Sequence, residues 1–240
     1  MSAALLLQAA DELCRDLAAL RFAEPVTHVY NPLIYARAGH EAYVRRFGEG
    51  RKRVLLLGMN PGPWGMAQTG VPFGEIPAVR NWMGIREAID KPRPEHPKRP
   101  IQGFACTKSE VSGRRLWGLF AQLYPNAQDF FASHFVLNYC PLVFMEEGGK
   151  NRTPDKLAPQ EIAAVQAPCD RYLTRCIEIL SPEWLVGIGG YAEAAFQRVA
   201  PRCDRPVRIG KVLHPSPASP VANRDWAGTA SRQLRDQGIW

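Results

Sequence analysis

No run in the 240-residue chain is long and apolar enough to read as a membrane span. The first ten residues are apolar, but no basic segment precedes them, and Asp11 and Glu12 end the run. That excludes a secretory signal and predicts an intracellular protein with no membrane partner. Cysteines at metal-binding spacing are missing too. Cys14, Cys106, Cys140, Cys169, Cys176 and Cys203 contain no C-x-x-C pair, and the Cys169–Cys176 spacing suits neither a zinc ribbon nor a common iron–sulfur pattern. The expectation is six reduced, mostly buried thiols and no metal.

Signature loops are absent as well. The glycines of 58–65 are not followed by G-K-[ST], which excludes a P-loop. Gly187-Ile188-Gly189-Gly190 lacks the third glycine of a dinucleotide turn and the acidic residue expected further on. Neither Ser216 nor Ser219 sits in a G-x-S-x-G elbow, and there is no H-x-E…C-x-x-C of a zinc deaminase. No cofactor is expected. Acidic residues are the scarcer charge, 23 against 30 Lys plus Arg, and the net +7 tilts mildly toward a polyanionic partner.

What is present is a set of short apolar strands alternating with helices. Strands are predicted at Arg53–Gly58, Phe135–Tyr139, Trp184–Ile188 and Val207–Leu213. Helices are predicted over 2–21, 77–88, 109–123 (with Ser109 as N-cap), 159–180, 191–199 and 223–237. This alternation implies βαβ units and one α/β domain over 1–240, with a parallel sheet covered on both faces. Residues 91–100 hold four prolines and four basic residues, and read as an extended surface loop.

The first strand empties into Gly58-Met59-Asn60-Pro61-Gly62-Pro63-Trp64-Gly65-Met66, and the fourth into His214-Pro215-Ser216-Pro217-Ala218-Ser219-Pro220. Asn138 lies near the end of the second strand. Ligands of open α/β sheets sit at the carboxyl ends of strands, so Asn60, Asn138 and His214 are placed to converge. Asn offers both a donor and an acceptor, for a water or for the amide-like edge of a pyrimidine. His can donate to an oxygen that gains charge. Taken singly, each such residue more often bonds to local backbone. Phe73, between Gly and Pro residues, offers a face on which a flipped base could stack.

With Gly65–Gly74, Ser109-Glu110-Val111-Ser112-Gly113 and Asn138-Tyr139-Cys140-Pro141-Leu142 added, the chain from about residue 28 closely resembles the single-strand-selective monofunctional uracil-DNA glycosylases. The resemblance implies an α/β/α sandwich around a four-stranded parallel sheet. It implies hydrolysis of the N-glycosidic bond of uracil, and of 5-hydroxymethyluracil and related bases, in single- and double-stranded DNA. In that reading Asn60 positions water and His214 stabilises the departing base at O2. Asn138 reads the N3/O4 edge, Phe73 stacks, the Met59 backbone helps bind the base, and Gly62 leaves room beside C5. Ser109, Ser112 and Gly113 contact the DNA backbone, as does the Pro215, Ser216, Pro217, Ala218, Ser219 loop. One departure stands out: the family carries an Arg after His-Pro-Ser-Pro, and here that place is Ala218. A monomer is the default. The alternatives left open are a same-fold glycosylase preferring xanthine, a non-catalytic damaged-DNA binder, and a doubly wound protein that binds no nucleic acid.

Overall fold

Three apolar runs buried on both faces and one mixed run form the main sheet, and three further runs form a second. The computed structural model describes all residues, 1–240. In chain order the elements are α1 (Ser2–Ala18), β1 (Val26–Tyr30), α2 (Pro32–Tyr35), α3 (Arg37–Phe47), β2 (Val54–Gly58), α4 (Met66–Thr69), α5 (Val111–Leu123) and α6 (Ala127–Ser133). There follow β3 (His134–Asn138), β4 (Val143–Glu146), β5 (Asn151–Arg152), α7 (Pro159–Leu180), β6 (Trp184–Ile188), α8 (Gly190–Val199), β7 (Arg208–Val212) and α9 (Pro220–Asp236).

Four parallel strands, ordered β3-β2-β6-β7, make the main sheet. Every residue of β2, β3 and β6 is buried, as strands covered on both faces must be. In-register pairing sets Gly58 beside Asn138. The chain therefore leaves β2 and β3 at the same level, and their following loops share one rim. This is the predicted α/β architecture, with strand ends within about one residue of expectation.

A second sheet, antiparallel and ordered β1-β4-β5, has no counterpart in the sequence reading. Val143 and Phe144, which read as a continuation of the second parallel strand, belong to β4. Pro141 separates the two, because it cannot donate to a ladder.

Three local expectations are corrected. The helix over 77–88 shrinks to one wide turn, Ala78–Trp82, closed by Met83 N–H on Ala78 O at 3.0 Å. Gly84, at φ +69°, ends it in a conformation other residues avoid. Ser109 does not cap α5. Glu110 holds the N-cap position, and the Ser109 hydroxyl donates instead to Glu75 Oε1 at 3.1 Å. The last helix begins at Pro220, three residues early, because Ser219 Oγ accepts from Ala222 N–H and Pro suits the first turn.

The 91–100 segment is not a free surface excursion. His96 and Pro92 are buried, and His96 is bonded on both ring nitrogens.

Candidate active site

The carboxyl rim of the parallel sheet opens into a cleft of about 200 Å³. This is below the roughly 300 Å³ at which drug-sized sites begin, and suits a single ring better than a dinucleotide. Met59, Asn60, Gly62, Phe73, Asn138, His214, Ser216 and Pro217 all line it, so residues far apart in sequence meet as the strand-end rule requires. Ser112 lines it from the first turn of α5.

Asn60 follows β2 by two residues. Its Nδ2 donates to Leu142 O at 3.1 Å. Only the NH₂ group can make that bond, so the orientation of the amide is fixed and Oδ1 is left as an acceptor. Asn138 ends β3 and is buried. Its Nδ2 meets only the Met66 sulfur, at 3.2 Å, a weak acceptor that a better partner displaces.

Phe73 stands at φ +53°, a costly position for a side chain of this size. Three contacts hold it there. Its carbonyl accepts from Trp117 Nε1 at 3.1 Å and from Glu75 N–H at 2.6 Å, and its ring packs on Gly58, where a β-carbon would stand 2.5 Å from it. Strain of this kind, fixed by surrounding bonds, marks a residue whose aim matters more than its comfort.

His214 follows β7. The backbone just before it is held by α9: Leu213 N–H donates to Gln233 Oε1 and Leu213 O accepts from Trp226 Nε1, each at 2.7 Å. Its ring lies 6.3 Å from that of Phe73. Burial alone lowers its pKa below the usual value, with no carboxylate to oppose it, so the imidazole is neutral at physiological pH.

The loop after His214 is clamped. Arg115 donates to Pro215 O, Ser216 O and Asn223 Oδ1 at 3.1, 3.2 and 2.8 Å, and Asn223 Nδ2 donates to Pro217 O at 2.8 Å. Arg115 thus directs its charge to loop carbonyls. Ala218 is exposed, with its N–H on Ser216 Oγ at 3.1 Å, and Ser219 is committed to its cap.

Ser109 is exposed outside the cleft, and Gly113 is buried against the Phe73 carbonyl, where no side chain would fit. The space beside Gly62 is taken by the Glu110 carboxylate, which a β-carbon there would strike. Glu110, Asn151 and Thr153 are cleft residues the sequence reading missed. Burial raises the pKa of Glu110, opposed by bonds from the Trp64 and Ser112 backbone. Its signal was available in Ser109-Glu110-Val111-Ser112-Gly113, one residue after the Ser taken for the cap. Asn151 and Thr153 arrive with β5, and two-residue strands carry no periodicity to read. The Asn151 Oδ1 is buried without a partner.

No group of three or more His, Cys, Asp or Glu is arranged to hold a metal ion, and no helix is long and apolar enough to cross a membrane. The six cysteines are free thiols, and burial pushes Cys14 up to about 11 and Cys176 up to about 12.

Residues 45–234 match the model of the uracil DNA glycosylase superfamily. Over 224 residues the chain is 45% identical to the single-strand selective monofunctional uracil-DNA glycosylase of Rattus norvegicus, covering 93% of this chain and 81% of that protein. It is 44% identical to the Bos taurus protein of the same description, covering 93% and 82%. The crystal structure of wild-type SMUG2 from Pedobacter heparinus shares the fold, with a TM-score of 0.68 at 17% identity over 96% of this chain and 97% of that one. A parallel sheet with this rim, matched along nearly all of its length, makes this chain a member of the uracil DNA glycosylase superfamily and, within it, of the single-strand selective monofunctional family.

Proposed function

We propose that this protein hydrolyses the N-glycosidic bond of uracil in DNA, releasing the base and leaving an abasic site. The observation that carries the reading is the meeting of Asn60, Phe73, Asn138 and His214 on one base-sized cleft. Uracil is the substrate, taken from single strands or after extrusion from a duplex, and a 5-hydroxymethyl group is accepted only if the Glu110 carboxylate beside Gly62 moves aside. The protein acts inside the cell as a monomer.

Bond cleavage leaves positive charge on the sugar and negative charge on the base. Catalysis therefore needs charge stabilisation more than a strong nucleophile. Phe73 stacks on the flipped ring, and the Met59 backbone helps hold it. Asn138 turns its amide from the Met66 sulfur to the N3–H and O4 of the base, a pattern uracil offers and cytosine does not. The neutral His214 donates to O2 as the base departs. Asn60 Oδ1 accepts a hydrogen from the attacking water and orients it. An amide is no general base, so His214 and the phosphates of the DNA carry the electrostatic work. Ser112 and the clamped loop from Pro215 to Ser219 contact the opened strand. With Ala218 in place of the family Arg, that loop fills the gap of a flipped base poorly, which favours single strands and mispairs.

The test is single-turnover incubation with labelled single-stranded oligonucleotides carrying uracil or xanthine, followed by alkali. Cleavage at uracil, faster than at xanthine, is the expected result. Cleavage at xanthine alone, or binding with no cleavage, would refute the reading.

A further inference from the structure

The basic segment 91–100 takes no part in the chemistry of the cleft, yet it is pinned to both of its walls. His96 is buried. Its backbone N–H donates to Tyr30 Oη at 2.5 Å, its Nδ1 accepts from Lys98 N–H at 3.0 Å, and its Nε2 bonds to Glu146 O at 3.1 Å. Gln68 Nε2 ties Pro100 O to Pro63 O, at 3.2 and 3.1 Å, so the end of the segment is fastened to the loop that carries Asn60. Lys98 packs its β-carbon on Gly149, in the turn from β4 to β5 that leads to Asn151 and Thr153. Residues 98–100 are therefore tied both to the loop that carries Asn60 and to the turn that leads to Asn151 and Thr153.

The cations held there have no counter-charge. The Arg99 guanidinium lies over the Trp64 ring, 5.1 Å from its centroid. Its one hydrogen bond goes to the neighbouring Lys98 carbonyl, and its Nε is buried without a partner. Nearby carboxylates are engaged elsewhere: Glu95 with Ile101 N–H and Lys91, Glu146 with Lys150 and Arg152, Glu110 with backbone N–H groups. Lys98 is exposed and unpaired. Of the three guanidinium nitrogens only Nη2 is neither buried nor bonded, and it is the donor left to meet a phosphate oxygen. A pinned loop loses little freedom when it binds.

We propose that Arg99 and Lys98 form a phosphate-gripping rim for the DNA strand whose base enters the cleft. The choice of DNA as ligand rests on the uracil reading above. Such a rim adds affinity without reading sequence.

Its signature is in the salt dependence of binding. Affinity for a single strand falls with a log–log slope of about 0.7 per neutralised phosphate. The probe is a single-stranded oligonucleotide with one 2′-fluorinated deoxyuridine, which resists cleavage, followed by anisotropy from 50 to 200 mM salt. Arg99→Ala and Lys98→Ala should each bind more weakly and shallow the slope by about 0.7, so the deficit of each shrinks about 2–3-fold across that range. Arg99→Lys should keep the slope. Wild-type slopes in both alanine variants overturn the proposal, and so does an equal change in Arg232→Ala on α9, which would mean net charge alone. Binding with the expected slopes but no uracil release removes the enzymatic reading and leaves the rim. Uracil release with unchanged slopes removes the rim alone.

Discussion

The two walls of the cleft differ in origin. The carboxyl ends of β2, β3 and β7 supply Asn60, Asn138 and His214, each placed by the strand just before it. The facing wall comes from β5 and from the loop before α5, which supply Asn151, Thr153 and Glu110. On the first wall a local strand and a general rule of parallel sheets suffice to bring the residues together. On the second, position depends on pairings such as Val26 with Glu146 and Met145 with Asn151, which no short window of sequence encodes. In the proposed mechanism chemistry falls to the first wall, and shape and grip to the second.

The sharpest contrast between the walls is kinetic. His214→Ala should slow single-turnover uracil release by about 10²–10³-fold, the usual loss for one donor aimed at developing charge. Thr153→Ala on the other wall should cost under about 10-fold by the same reasoning. Comparable losses would erase the distinction. Because burial holds His214 neutral, kcat/KM should stay level from pH 6.5 to 8. A fall as pH rises through 7 would mean that the imidazolium is the working form.

The first wall also rests on a buried ionic brace. Asp170 accepts from Tyr139 Oη at 2.7 Å and pairs with Arg198 at 2.9 Å, fixing the residue after Asn138 against α7 and α8. Asp170→Ala leaves a partly exposed guanidinium unmatched and, discounted for its solvation, should cost about 2–3 kcal/mol in urea denaturation. A loss under about 1 kcal/mol would show the pair behaving as a surface one.

Acid should loosen the molecule as well. His40 and His134 are buried and held at about 4, chiefly by desolvation. Unfolded, each takes a proton near 6.5, so between 6.5 and 4 the unfolded state binds more protons. Stability then falls as pH drops, by about 2 kcal/mol per histidine at pH 5, and is fully present above 6.5. Urea midpoints against pH for wild type and His134→Gln should converge as pH falls. Parallel curves would contradict the assignment.

The smallest effect concerns the clamped loop. Ala218→Arg should raise the duplex-to-single-strand rate ratio several-fold, measured on matched uracil substrates. An unchanged ratio would mean that Arg115 and Asn223 already give the loop all the rigidity it needs to open a duplex.

The main sheet was legible because β2, β3 and β6 are apolar throughout and bounded by turn residues. Asn60, Asn138, Phe73 and His214 were legible because Gly and Pro punctuate the loops around them. The cap of α5 was misread by one residue because Ser109 has the better intrinsic propensity, while Glu110 reaches the position through tertiary contacts with Gly62 and Trp64. The 91–100 loop was misread for a related reason. Proline content forbids a helix, but it says nothing of His96 anchoring the loop to β4.

The proposed mechanism depends on Asn60 as the residue that orients water. The most direct measurement is single-turnover uracil release from a single-stranded oligonucleotide, at saturating enzyme, for wild type and Asn60→Ala. A loss of about 10²-fold or more, with affinity for the 2′-fluorinated strand retained, is the predicted result. Release within a few-fold of wild type would contradict it, and would move the water to another acceptor in the cleft.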